Sequence, residues 1–108
     1  LVEHSTEGAR RRLRAEVVWL DHFGNLQLAV PGRDGPPLAP RGAPGVGVEV
    51  RVGDRSFPAH RVAHFSALGP GEVGVLVDST GRLALVVREG SAAAVTGAGA
   101  RSVVELVW

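Results

Sequence analysis

No stretch of this 108-residue chain keeps an apolar repeat of three to four residues long enough for an amphipathic helix of ordinary length, whereas short segments with Val or Leu at every second position recur throughout. AEVVWL from Ala15, NLQLAV from Asn25, GVEVRV from Gly47, VGVLVD from Val73, RLALVV from Arg82 and VVELVW at the end are of this kind. Between them lie turn residues: Phe23-Gly24-Asn25, Gly53-Asp54, Leu68 to Glu72, and Asp78-Ser79-Thr80-Gly81. Arg55-Ser56-Phe57 returns from the second of these, and AHRVAHF after Pro58 reads as extended. About seven short strands result. An all-β fold, a single small antiparallel barrel, is the expectation, because closing the sheet removes its edges.

Two segments stand outside this pattern. Leu1 to Arg14 is polar and charged without a sustained apolar period, and reads as an N-terminal arm or the end of a linker, with the barrel domain running from 15 to 108. Pro31 to Gly45 holds five of the seven prolines and reads as a surface loop. The core has to be built from Val, Leu and Ala, since there are three Phe and two Trp. A domain of this size buries about 65% of its extended-chain surface. Without cysteine, neither disulfides nor a thiolate metal site hold the fold. No apolar run reaches the roughly 20 residues of a membrane-spanning helix, and no signal peptide is visible at the N-terminus. A soluble, cytoplasmic protein with no membrane partner is expected. The net charge of +1 provides no large field for attracting nucleic acid.

Two motifs could carry chemistry. In Asp21-His22-Phe23-Gly24-Asn25, a carboxylate and a carboxamide four residues apart across a glycine can converge on one small ligand, the acid taking an ammonium and the amide a base edge. An ordinary hairpin turn accounts for the same residues. Asp78-Ser79-Thr80-Gly81-Arg82-Leu83, followed by Val87-Arg88-Glu89-Gly90-Ser91-Ala92-Ala93, sets hydroxyls at a turn and small residues where backbone could approach a planar ligand. A hairpin with a glycine-rich exit accounts for these too.

Taken together and in order, Asp21, Phe23-Gly24-Asn25, Phe65, Gly71-Glu72, Ser79-Thr80-Gly81, Leu83 and Gly90-Ser91-Ala92-Ala93 resemble the C-terminal domain of the S-adenosyl-L-methionine hydroxide adenosyltransferases, relatives of the fluorinase and chlorinase. The resemblance spans about residues 15 to 107. Leu28-Ala29, Thr80 and Arg82 depart from the family's usual residues. The resemblance implies a domain that binds S-adenosyl-L-methionine as substrate, with no separate cofactor, for hydrolysis to adenosine and L-methionine. It implies that Asp21, with help from Ser79, holds the methionine ammonium, and that Thr80 is among the substrate-binding residues. Asn25 would bond the adenine, Phe65 would pack on its face, and backbone groups of Val87, Arg88 and Glu89 would meet its polar edge. The water-activating and ribose-binding residues would lie in an N-terminal domain of a neighbouring subunit in a trimer. No catalytic residue is then expected in this chain, which would be one piece of a longer polypeptide and inactive alone.

Other readings were open. His60 and His64 sit four apart, but Pro58 and Val62 argue against the helix that would make them zinc ligands, so no metal site is expected. The run Arg10-Arg11-Arg12-Leu13-Arg14 permits a rival class, a non-enzymatic barrel binding single-stranded nucleic acid. A degenerate domain kept for oligomer contacts is a third.

Overall fold

A computed structural model describes residues 2–108. Its strands are β1 (Val2–Glu7), β2 (Arg10–Leu20), β3 (Leu26–Pro31), β4 (Val46–Val52), β5 (Arg55–Arg61), β6 (Val73–Val77), β7 (Arg82–Val87) and β8 (Val103–Val107), with one helix, α1 (Ala92–Thr96). The sheet runs β1-β2-β3-β7-β6-β5-β4-β8, and β8 pairs back onto β2. Strands β2 to β8 therefore close into a seven-stranded barrel, and β1 lies outside that ring along β2.

Alternation decides the interior. Leu13, Ala15 and Val17 of β2, Leu26, Leu28 and Val30 of β3, Val48 and Val50 of β4, Val73 and Val75 of β6, Leu83, Leu85 and Val87 of β7, and Val104 and Leu106 of β8 form one buried cluster. Each is apolar, and the residues between them face outward, as a two-residue period requires. A second, smaller cluster of Val62, Leu68 and Val86, with Leu76 against it, sits on the outer face of β6 and β7.

Three features differ from the sequence-based expectation. The barrel is not wholly antiparallel: Ala59–Arg61 of β5 pairs parallel with Val73–Val75 of β6. Extended structure in AHRVAHF accordingly stops at Arg61, and a 3-10 turn at Phe65–Ala67 lies in the connection. Pro58 is tolerated inside β5 because it faces Glu49 of β4 before pairing with β6 begins, so the missing N–H breaks no bond on that side. The N-terminal segment is also regular. β1 pairs with β2 from Val2↔Ala15 to Glu7↔Arg10, and the 14/15 boundary falls within β2, between the inward-facing Leu13 and Ala15. The apolar period is missing from β1 because it buries almost nothing.

Charge takes over where apolar contact stops. Arg51 of β4 donates to Glu7 of β1 at 2.7 and 2.8 Å, to Glu49 at 2.8 Å and to Glu105 of β8 at 2.9 Å. Arg10 reaches Glu49 at 3.2 Å, Arg14 reaches Glu3 at 3.0 Å, and Arg12 bonds Ser5 at 2.9 Å. Hydrogen bonds from Arg51 and Ser56 hold the Glu49 carboxyl down at about 2, against an ordinary 4.5. Because the folded value is the lower one, this stabilisation is complete above pH 4.5 and is lost as the pH falls toward 2. Glu49→Gln should therefore lower the melting temperature at pH 6 and shrink the further loss between pH 6 and pH 3. An acid limb unchanged from wild type in thermal melts would exclude this role.

Candidate functional site

The turn joining β2 to β3 is built around its own acid. Asp21 Oδ1 accepts from the backbone N–H of Phe23 at 2.8 Å and of Asn25 at 2.9 Å, and Oδ2 accepts from Asn25 Nδ2 at 2.9 Å. Burial raises the Asp21 carboxyl pKa, but these accepted bonds outweigh it and leave the group below 3.8. A carboxylate only accepts, so the amide nitrogen of Asn25 is fixed toward Asp21 and its Oδ1 is left for other donors.

Gly24 makes this turn possible. Its φ is +83°, and a Cβ placed there would lie 2.6 Å from Ser91 Cβ. Its carbonyl accepts from Ala93 N at 2.9 Å. Ser91 in turn caps α1, accepting from Ala94 N at 3.1 Å. The small-residue run Gly90-Ser91-Ala92-Ala93 is thus a helix start pressed against the β2–β3 turn, and Ala92 belongs to the core.

Beside this junction lies a cavity of about 560 Å³. Four of the residues singled out from the sequence line it: Asn25, Phe65, Val87 and Glu89. Phe23, Leu76, Val86 and Gly90 complete it. Phe65 is 45% exposed and Phe23 75% exposed, so two aromatic faces are available at the cavity. Glu89 holds φ +57°, a conformation that costs a non-glycine residue energy and turns the chain sharply at the cavity wall.

The other sequence candidates stand off the lining. Asp21 lies behind Asn25. Arg88 points elsewhere: its Nη1 donates to Leu68 O at 2.6 Å and Ser66 O at 3.4 Å, while its backbone bonds Gly71 N and Glu72 O. It braces the segment that carries Phe65. The Thr80 hydroxyl is engaged as well, donating to Asp78 Oδ1 at 2.6 Å and accepting from Gln27 Nε2 at 3.1 Å. Ser79, between them, is exposed and its hydroxyl has no partner among the described residues.

Sequence reasoning missed Phe23 as a lining residue, although it belongs to the FGN motif, and it missed Gln27. Gln27 Nε2 also donates to Asp78 Oδ2 at 2.7 Å, which ties the strand after the Asp21 turn to the turn bearing Ser79. The signal was available in the alternation, because Gln27 is the polar residue between two inward leucines. Leu28, the departure from the family's residues, is fully buried in the core and faces away from the cavity.

The arginine run does not present a free cationic strip, since Arg10, Arg12 and Arg14 are paired across the sheet. His60 lies 3.9 Å from Glu72. Among the described residues no group of three or more His, Asp or Glu side chains could hold a metal ion. No helix among them is long and apolar enough to cross a membrane.

Residues 15–105 match the family profile described as the SAM hydroxide adenosyltransferase C-terminal domain. Over 83 residues the chain is 46% identical to the (R)-S-adenosyl-L-methionine hydrolase of Salinispora tropica, a match covering 77% of this chain and 28% of that protein. An uncharacterized conserved protein from Thermotoga maritima has the same fold in its crystal structure, with a TM-score of 0.80 at 26% identity over 96% of this chain and 38% of that one. A conserved hypothetical protein from Thermus thermophilus gives a TM-score of 0.62 at 27% identity, over 86% of this chain and 34% of that one. The chain therefore spans well under half the length of each of these relatives. With the ordered motifs, the closed barrel and a profile match over most of its length, the chain belongs to the SAM hydroxide adenosyltransferase C-terminal domain family.

Proposed function

We propose that this chain is the substrate-binding C-terminal domain of an S-adenosyl-L-methionine hydrolase that forms adenosine and L-methionine. The observation that carries the reading is the cavity on which Asn25, Phe65, Val87 and Glu89 meet beside Phe23. An adenine ring needs a flat apolar wall and a few fixed polar partners. Phe65 and Phe23 supply the wall. Asn25 supplies an acceptor, since its amide nitrogen is held by Asp21, and an acceptor suits the exocyclic amino group of adenine. Asp21 keeps a lone pair beyond its three internal bonds for an ammonium.

In this reading the chain positions and does not activate. Water-derived hydroxide adds to the ribose 5′ carbon while the carbon–sulfur bond breaks and methionine leaves with the electron pair. The residues that align and deprotonate that water belong to an N-terminal domain of a neighbouring subunit in a trimer. Two observations support an additional wall of this kind. Val18, Trp19 and Leu20 at the end of β2 are exposed apolar side chains next to Phe23, more than a lone small domain usually leaves in one place. The relatives are also far longer than this chain.

In the complete polypeptide, Asn25→Ala should weaken S-adenosyl-L-methionine binding at least about tenfold, the effect of removing one hydrogen bond of roughly 1.5 kcal/mol from a desolvated site. Calorimetric titration of both proteins checks this, with circular dichroism melts as the folding control. Equal affinity in two folded proteins would refute the assignment.

A further inference from the structure

A second cavity, of about 500 Å³, lies beyond the Phe65–Ala67 turn, between that turn and the proline-rich loop. Its floor is Arg61, the last residue of β5. Arg61 is only 8% exposed, and no carboxylate among the described residues lies within ion-pair distance of it. Its Nε donates to Pro36 O at 3.1 Å and its Nη1 to Val62 O. Its Nη2 bonds to no group among the described residues. No fully buried side-chain nitrogen or oxygen among the described residues lacks a hydrogen-bond partner, so Nη2 reaches open space. Arg61 lines this cavity.

A guanidinium in this state is unusual. Buried cations are normally matched by an acid, because losing hydration is costly and carbonyl partners return only part of it. The local charge does not supply the match. Arg41 also borders the cavity, and Glu72, the acid on its rim, accepts from Gly69 N of its own loop and lies 3.9 Å from His60, which lines the cavity too. Burial lowers the pKa of Arg61, in keeping with a cation that has no counter-charge. The remaining wall is apolar, formed by Leu38, Pro40, Pro44, Val62 and Leu68.

We propose that this cavity binds a small organic carboxylate, its head paired with Arg61 and its hydrocarbon body against the proline-rich loop. The pairing is charge-assisted, through the guanidinium edge that the protein leaves unbonded. The apolar wall selects an aliphatic acid over inorganic phosphate, which would leave that wall wet. The site is separate from the Phe65 cavity and does not depend on the function proposed for it.

Hexanoate, inorganic phosphate and hexylamine, titrated calorimetrically at constant ionic strength, provide the test. Hexanoate should bind, phosphate at least about tenfold more weakly, and hexylamine undetectably. Arg61→Gln should weaken hexanoate at least about tenfold. Should that variant fail to fold, Ala43→Trp fills the cavity from the exposed loop without touching Arg61, and should have the same effect. Phe65→Ala should leave hexanoate affinity unchanged. Hexanoate binding no better than hexylamine, phosphate binding as well as hexanoate, or full affinity in Ala43→Trp would each overturn the proposal, as would a loss confined to Phe65→Ala.

Discussion

Gly24→Ala should destabilise the domain by about 2–4 kcal/mol, the sum of a left-handed backbone penalty and an overpacked contact. The glycine holds φ +83°, where an L-residue is strained, and the added methyl would strike Ser91, whose hydroxyl caps α1. Ser91 cannot retreat freely, because Ala93 N is bonded to the Gly24 carbonyl. Relief must come from opening the junction between the β2–β3 turn and α1. That junction aims Asn25 at the cavity, so adenosyl affinity should fall along with stability. Urea unfolding of wild type and variant measures the first effect, and a difference below 0.5 kcal/mol, the scatter of an ordinary surface change, would mean that the contact is not what fixes the turn.

Phe65→Ala should separate binding from folding. Its ring is 45% exposed and stands outside both buried clusters, so its loss should alter unfolding free energy by less than about 1 kcal/mol. Stacking of a base on an aromatic side chain is worth about 1–3 kcal/mol, which predicts a 5- to 150-fold weaker affinity for S-adenosyl-L-methionine in the complete polypeptide. Phe65→Trp should keep most of the affinity, since it keeps a flat apolar face. Alanine and tryptophan variants with indistinguishable dissociation constants would remove Phe65 from the site.

The strands were legible because each buries one face: Leu26, Leu28 and Val30 could be read as a set, as could Val48 and Val50, and Leu83 and Leu85. β1 was not, since its sequence reflects pairing with β2 and ions shared with Arg51, and neither leaves an apolar period. The parallel pairing of β5 with β6 was hidden for another reason. Strand direction is set by a tertiary choice, and AHRVAHF contains no turn residue to mark its end at Arg61. At the candidate site, the residue types were readable but not their engagements. Asp21 looked like a free acceptor and is largely occupied by its own turn. Arg88 looked like part of the binding surface and instead props up the Phe65 segment. Small, outward-facing polar residues such as Gln27 tie loops together without any signature in a single sequence beyond their place in the alternation.

The parallel pairing of β5 with β6 has a geometric corollary. A hairpin can reverse direction in two residues, whereas neighbours that share a heading oblige the chain to travel back along the outside before re-entering. Here residues 62–72 make that return journey, and they carry Phe65 with them over the exterior of β6 and β7. A plain up-and-down meander of these same strands would have left that exterior bare. The hollow beside Asn25 thus owes its roof to connectivity, and grafting its lining residues onto an up-and-down barrel would not recreate it.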